Sequence, residues 1–243
     1  MPVDRLGIMQ PYFFPYLGYF DLINLADRWI VFDTVQYIRK GWMNRNRIHH
    51  PNRRDDLLIR VPIRKAPRAT PIKDIRIADD PAWRGRLLAQ IDHYRGSCPH
   101  YEETHAFVER CLAHEETSLS RFNVALLAEV CAHLGLDFRY DYFSELDLGL
   151  GPVDDPGEWA LRICEALGAR EYVNPPGGRA IFDPRKFAAR GIELTIRDVE
   201  PIVYPCWNYP YIPRLSVIAV MMFVEPRQMR AYLDRQRPDA SGG

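Results

Sequence analysis

The chain has 243 residues, 47% of them hydrophobic and 26% charged, which is enough apolar material for a packed core and too much for a disordered chain. Lys plus Arg and Asp plus Glu number 32 each, so the formal net charge is zero. That balance argues against a broadly basic nucleic-acid binder and leaves only a local patch to consider.

The opening MPVDRLGIMQ lacks the charged start and apolar run of a signal peptide. Leu6 to Met9 is a short apolar run and reads as a buried strand. Gln10 to Tyr16 (QPYFFPY) is a turn with two prolines and four aromatics. From Leu17 to Arg28 the pattern is helical, with Tyr19, Leu22, Ile23 and Ala26 on one face. Trp29 to Phe32 is a second apolar run ending at Asp33. Strand, helix and strand in about 30 residues make a βαβ unit, with the two strands adjacent and parallel.

Gln36 to Asn52 is polar and basic without a clean period and reads as a loop. Leu57 to Ile63 and Ile72 to Ile77 read as strands. Pro81 to Tyr94, Glu103 to His114 and Ser118 to Leu134 carry helical stripes, with Thr117 or Ser118 as N-cap and Gly135 closing the third. Phe138 to Tyr142 reads as a strand, Pro156 to Leu167 as a helix, Glu171 to Val173 as a strand and Val199 to Tyr204 as the last strand. Pro213 to Phe223 and Pro226 to Arg235 read as C-terminal helices. The expected fold is α/β, a parallel-sheet Rossmann-like core with a helical lobe in the middle of the chain. It is a single domain over residues 1–236, with the core at about 1–80 and 136–224, the lobe at about 81–135 and a flexible tail at 237–243.

The five cysteines, at 98, 111, 131, 164 and 206, show no CxxC or Cys/His cluster, and the seven histidines are scattered, so no metal is assigned. No stretch approaches about 18 apolar residues, so no membrane span is expected, and the chain reads as cytoplasmic with reduced thiols.

Four stretches have the chemistry for a site. The Gln10 to Gly18 loop follows a strand, where open α/β sheets bind ligands, and it leads into a helix N-terminus suited to phosphate. Gln10, Tyr12, Tyr16, Gly18 and Tyr19 are its candidate binding residues, against the plainer reading of a loop that caps the core. Trp42, Asn44, Arg45, Asn46 and Arg47 form a dense donor cluster beside Arg39 and Lys40. Guanidiniums grip carboxylate or phosphate, so Asn44, Arg45 and Arg47 are candidate catalytic residues and Asn46 a binding residue. A solvated basic loop is the competing reading. Alternation of side chains puts Asn44 and Asn46 together unless the loop is irregular, and at least one of Asn44, Arg45 and Asn46 is expected to face a pocket shared with Gln10 or Tyr12. Gly178 and Arg179, after Pro175-Pro176, form either an anion nest or a turn. WNYPYIPR, from Trp207 to Arg214, is aromatic and proline-rich, with Trp207 as a further binding candidate and Ser216 beyond it as a helix cap.

Taken together, MQPYFFPYLGYFDLINLADRWIVFDTVQY, GWMNRNRI, LLIRVPI, FAARGIEL and YIPRLSVIAVMM resemble the bacterial WbqC-like protein family over nearly the whole chain. The resemblance implies work on surface polysaccharides or other specialised sugar and amino-acid metabolites. More distantly, the opening is similar to the nucleotidyltransferase fold of pantothenate synthetase and class I tRNA synthetases. Where those proteins carry HxGH, this chain has Tyr16-Leu17-Gly18-Tyr19, and a tyrosine offers a hydrogen bond but no positive charge at neutral pH. A nucleotide such as ATP therefore stays open as a cofactor without its two histidines, and no cofactor is assigned.

The expectation is an enzyme for transfer or condensation of a small polar or phosphorylated metabolite, such as an aminosugar or amino acid, held between the Gln10–Gly18 and Asn44–Arg47 loops. With no evident nucleophile, catalysis would rest on positioning and charge stabilisation. The alternatives are a non-catalytic binding or scaffold protein and, less favoured by the charge balance, an RNA-binding module. A homo-oligomer is left open.

Overall fold

A computed structural model describes residues 4–153 and 155–237; all but the first residue of the tail expected at 237–243 lies outside the described residues. Five parallel strands form the central sheet: β1 (Arg5–Met9), β2 (Arg28–Val31), β5 (Tyr140–Tyr142), β6 (Glu171–Asn174) and β7 (Glu193–Ile196), in the order β5-β2-β1-β6-β7. Between β2 and β5 the chain forms an antiparallel hairpin of β3 (Arg45–His49) and β4 (Asp56–Arg60), with Asn46 opposite Ile59.

The first strand pair is as the sequence predicts. Leu6 pairs with Arg28 and Met9 with Val31, in parallel, across α1 (Leu17–Leu25). Side chains alternate across the sheet. Leu6, Ile8, Ile30 and Tyr172 enter a core on one face under α5 (Glu158–Leu167) and α6 (Pro184–Ala188). Trp29, Val31 and Val173 enter the larger core on the other face. That second core runs from α1 into α2 (Trp83–Ile91), α3 (Tyr101–Leu112), α4 (Leu119–Leu134), α7 (Val217–Met221) and α8 (Pro226–Arg235). Trp29 needs space in the neighbouring strand: a Cβ on Gly7 would lie 2.3 Å from its ring. Glycine is the residue that permits so close an approach.

Helix ends follow their sequence signals. Ser118 accepts a hydrogen bond from the Arg121 amide, and Gly135 closes α4 at φ +67, the left-handed conformation glycine adopts without strain. Cys111, Cys131 and Cys164 are buried, and all five cysteines are free thiols.

Four local expectations are corrected. Gln36 to Asn52 is not all loop, because Arg45–His49 is strand β3. Its buried positions are Asn46, Ile48 and His49, two of them polar and on opposite faces, so no apolar alternation marks it. Ile72 to Ile77 is not a strand: Ile72–Asp74 is a 3₁₀ turn, and Ile72 and Ile75 are buried at its i, i+3 spacing. Val199 to Tyr204 has no regular structure, with a proline inside it and another directly after it, and the last sheet strand is Glu193–Ile196 instead. A proline lacks the N–H that a sheet ladder needs. The helix expected from Pro213 begins only at Val217, where Ser216 caps it.

Among the described residues, no helix is long and apolar enough to cross a membrane.

Candidate functional site

The loop after β1 is held largely by side chains that satisfy its carbonyls, with backbone amides meeting those of Pro15 and Tyr16. Asn46 Nδ2 donates to the Phe13 and Phe14 carbonyls at 3.0 and 2.8 Å. Ser216 Oγ donates to the Phe14 carbonyl at 2.8 Å. Asn123, buried on α4, donates to the Pro11 and Met43 carbonyls. Tyr19 Oη donates to the Gln10 carbonyl at 2.8 Å. These bonds hold Phe14 at φ +38, a conformation that persists in a non-glycine residue only where its surroundings fix it. Phe13 and Phe14 themselves are fully buried. The loop thus caps the core and at the same time fixes the outward direction of Tyr12 and Tyr16.

A cavity of about 180 Å³ opens beside this loop, lined by Tyr12, Pro15, Tyr16, Trp42, Asn46, Arg47 and Arg214. It lies where the chain leaves the carboxyl end of β1, the strand at which the sheet order turns back on itself, a usual place for ligands in open α/β sheets. Arg47 and Arg214 bring two guanidiniums to its wall. Arg47 lies 5.5 Å from the centroid of the Trp42 ring, and its Nη1 is 3.4 Å from Asp56 Oδ1. Its Nε is buried without a hydrogen-bond partner. Arg214, at φ +58, has its Nη2 3.4 Å from Asp198 Oδ1. Both ion pairs are longer than the ~2.7–2.9 Å of a charge-assisted hydrogen bond, so each guanidinium keeps donors to offer.

The two phenols are neutral donors. Burial raises the pKa of Tyr12 above its ordinary value, with Tyr16 adding to the shift. Burial also raises that of Tyr16; Arg214 opposes the shift, and Asp198 and Asp21 add to it. Neither hydroxyl hydrogen-bonds to a described residue. Asn46, by contrast, has no donor left: its Nδ2 serves two carbonyls, and its Oδ1 accepts from the Arg47 amide at 2.8 Å.

The other candidates fall into separate places. Asn44 and Asn46 are both buried, as alternation predicts, and Asn46 shares the cavity with Tyr12. Asn44 accepts from Tyr37 Oη at 2.7 Å and donates to the Val61 carbonyl at 2.9 Å, so its amide braces the hairpin. Arg45 donates to the Gly41 and Lys40 carbonyls and does not line the cavity. Tyr19 is buried, and Gln10 lies outside the lining. Gly18 is pressed by the Tyr16 ring, which would lie 2.4 Å from a Cβ there. Gly178 and Arg179 belong to a 3₁₀ turn after β6, and a Cβ on Gly178 would lie 2.2 Å from Asn174 Oδ1. Trp207 is mostly exposed, with its ring stacked on Phe223 away from the cleft.

Arg214, Asn123 and Ser216 are the contributors that sequence reading did not place at the site. Arg214 closes the singled-out WNYPYIPR stretch, and Asn123 is a polar residue on the buried side of an apolar helix. A larger open groove of about 750 Å³ between α5 and α6 is lined by Glu158, Arg162, Lys186 and Arg190 among others. Its charges already pair with one another or with Glu165, which leaves little for a ligand. Among the described residues, no group of three or more His, Cys, Asp or Glu is placed to hold a metal.

Comparison with known proteins reaches the level of the family. The chain is 28% identical over 199 residues to the uncharacterized protein Rv1507c of Mycobacterium tuberculosis (strain ATCC 25618 / H37Rv), covering 82% of this chain and 84% of that one. No solved structure matches. The family model of the WbqC-like proteins matches residues 10–231, a span that begins at the braced loop and includes both arginines of the cleft, and the chain belongs to the WbqC-like protein family.

Proposed function

We propose that the protein is a small-metabolite transfer or condensation enzyme that binds an anionic substrate in the cleft between the Gln10–Gly18 loop, β3 and Arg214. One observation carries this reading: Arg47 and Arg214, from distant parts of the chain, line one cavity with two phenols whose hydroxyls have no partner in the described protein. Such an array stabilises negative charge on a bound group and on the transition state of a transfer reaction. Arg47 takes the charge-stabilising role, joined by Arg214. Asn44 and Arg45 support the strand that carries Arg47.

A second reading has its own observation. No carboxylate, histidine or cysteine lines the cavity among the described residues, so the cleft lacks an evident general acid or base. That pattern suits a binding protein. Incubation with paired pools of anionic metabolites and amine or hydroxyl acceptors, followed by mass spectrometry, separates the two. The enzyme reading predicts a new product that Arg47→Ala abolishes. Ligands that raise the melting temperature but return unchanged from every pairing point to the binding protein.

A further inference from the structure

We infer that the cleft is a subsite for the terminal phosphoryl group of a metabolite. The inference rests on the anion-binding reading above and narrows it. Every polar side chain on the wall with remaining capacity is a donor: Arg47, Arg214, Tyr12 and Tyr16. Asn46, the other polar residue there, spends both its N–H groups on the backbone, and its Oδ1 already accepts from the Arg47 amide. A ligand that satisfies this wall must be rich in acceptors.

Carboxylate and phosphoryl groups differ in how they meet such a wall. A carboxylate is planar and is matched by one guanidinium fork lying in its plane. Here the two guanidiniums come from different elements, Arg47 from within β3 and Arg214 from the segment before α7, with the phenols on the loop between them in the lining. The three terminal oxygens of a phosphoryl group point in three directions and accept from donors that converge from several sides. Its charge of about −1.5 to −2 at neutral pH also answers two cations better than a single negative charge does.

An independent sign is the buried Arg47 Nε, which has no partner in the protein. A buried donor without an acceptor is costly, and an oxygen in the cleft supplies one. The volume agrees in scale. About 180 Å³ is the room of about six waters at ~30 Å³ each, which holds a phosphoryl group and the atoms next to it but not a whole nucleotide.

The test is calorimetric titration of the full chain with inorganic phosphate, methyl phosphate and acetate. It is repeated on Arg47→Ala, Arg214→Ala, Arg214→Lys and, as a control on an outer helix, Arg110→Ala, each first shown to melt cooperatively. The expected result is that the two phosphates bind within a few-fold of each other and acetate at least tenfold more weakly. Each cleft Arg→Ala variant lowers phosphate affinity by about tenfold or more, the usual loss for a hydrogen bond to a charged group. Arg214→Lys, which keeps the charge and the fold, loses less, and Arg110→Ala changes nothing. Acetate binding as tightly as phosphate overturns the phosphoryl assignment and leaves the anion reading standing. Inorganic phosphate binding without methyl phosphate overturns the metabolite assignment in favour of the free ion. Phosphate affinity indifferent to both arginines, or lowered equally by Arg110→Ala, overturns the inference and the anion-binding reading together.

Discussion

The two walls of the cleft are built in opposite ways. On one side, the Gln10–Tyr16 loop is short, and its Pro11, Phe13 and Phe14 carbonyls are met by buried donors from Asn46, Asn123 and Ser216. On the other, residues 197–214 run without regular structure from the end of β7 almost to α7. That segment is anchored at its root by Arg197 on buried Asp21 at 2.9 Å. Beyond the root it is held largely by phenols, with Tyr209 donating to the His93 carbonyl, Tyr211 to that of Ile202 and Tyr232 to that of Glu200. Val203 and Trp207 lie exposed along it. One wall sets position, and the other, which carries Arg214, has fewer buried bonds to break when it adjusts. Long irregular segments of this kind often serve binding sites.

The largest effect expected from this difference is on the braced wall. Asn46→Ala removes the donor of the Phe13 carbonyl from a buried site and should cost about 2–4 kcal/mol of stability, read by chemical denaturation. A loss below about 1 kcal/mol would show that the loop is held by its aromatic packing alone.

Next is acid. His49 is fully buried between Tyr94, Tyr209 and Phe223. Burial, then the neighbouring His93, lower its pKa from 6.5 to about 4, against the Pro210 carbonyl. A base neutral when folded stabilises above its unfolded pKa, and that contribution is lost as the pH falls through the folded one. Stability should therefore hold above about pH 6.5 and decline toward pH 4, by up to roughly 3 kcal/mol from this group at ~1.4 kcal/mol per unit. The denaturation midpoint of His49→Gln should vary less with pH than that of the parent; parallel pH curves would remove His49 as the cause.

Tyr209→Phe deletes one clamp of the adjustable wall and should cost about 1 kcal/mol, with faster hydrogen exchange confined to residues near 204–214. Exchange that spreads into the Gln10–Tyr16 loop would mean that the two walls move as one.

The smallest effect is at Asp198. Its pair with Arg214 is half-exposed on both sides, so Asp198→Asn should change stability by less than about 0.5 kcal/mol. It should nonetheless tighten phosphate binding two- to five-fold, because the carboxylate competes for Arg214. Weaker binding in this variant would make Asp198 a positioning residue instead.

How much of this was legible depended on which residues face inward. Leu6 to Met9 and Ile30 to Val31 announce themselves because buried parallel strands are apolar runs. Strand β3 does not, because two of its three buried positions are the polar Asn46 and His49, held by specific hydrogen bonds that no periodicity encodes. The donor cluster was visible as a cluster. Its division was not: whether Arg45 or Arg47 reaches the cleft depends on the hairpin's register and on the carbonyls that capture Arg45. Arg214 was hidden by separation, since its place beside Arg47 is made by a contact across more than 160 residues, closed by the Ser216 amide on the Arg47 carbonyl at 2.9 Å.

The five unpaired thiols have a practical consequence. Burial pushes the pKa of Cys98, Cys111 and Cys164 up to about 12, and raises those of Cys131 and Cys206. The thiolate is the species that reacts with alkylating reagents, so at pH 8 the native thiols of the folded protein should react slowly with a maleimide dye. One cysteine introduced at exposed Val203 should then label ahead of the native five, placing an optical reporter on the adjustable wall without prior removal of any native residue.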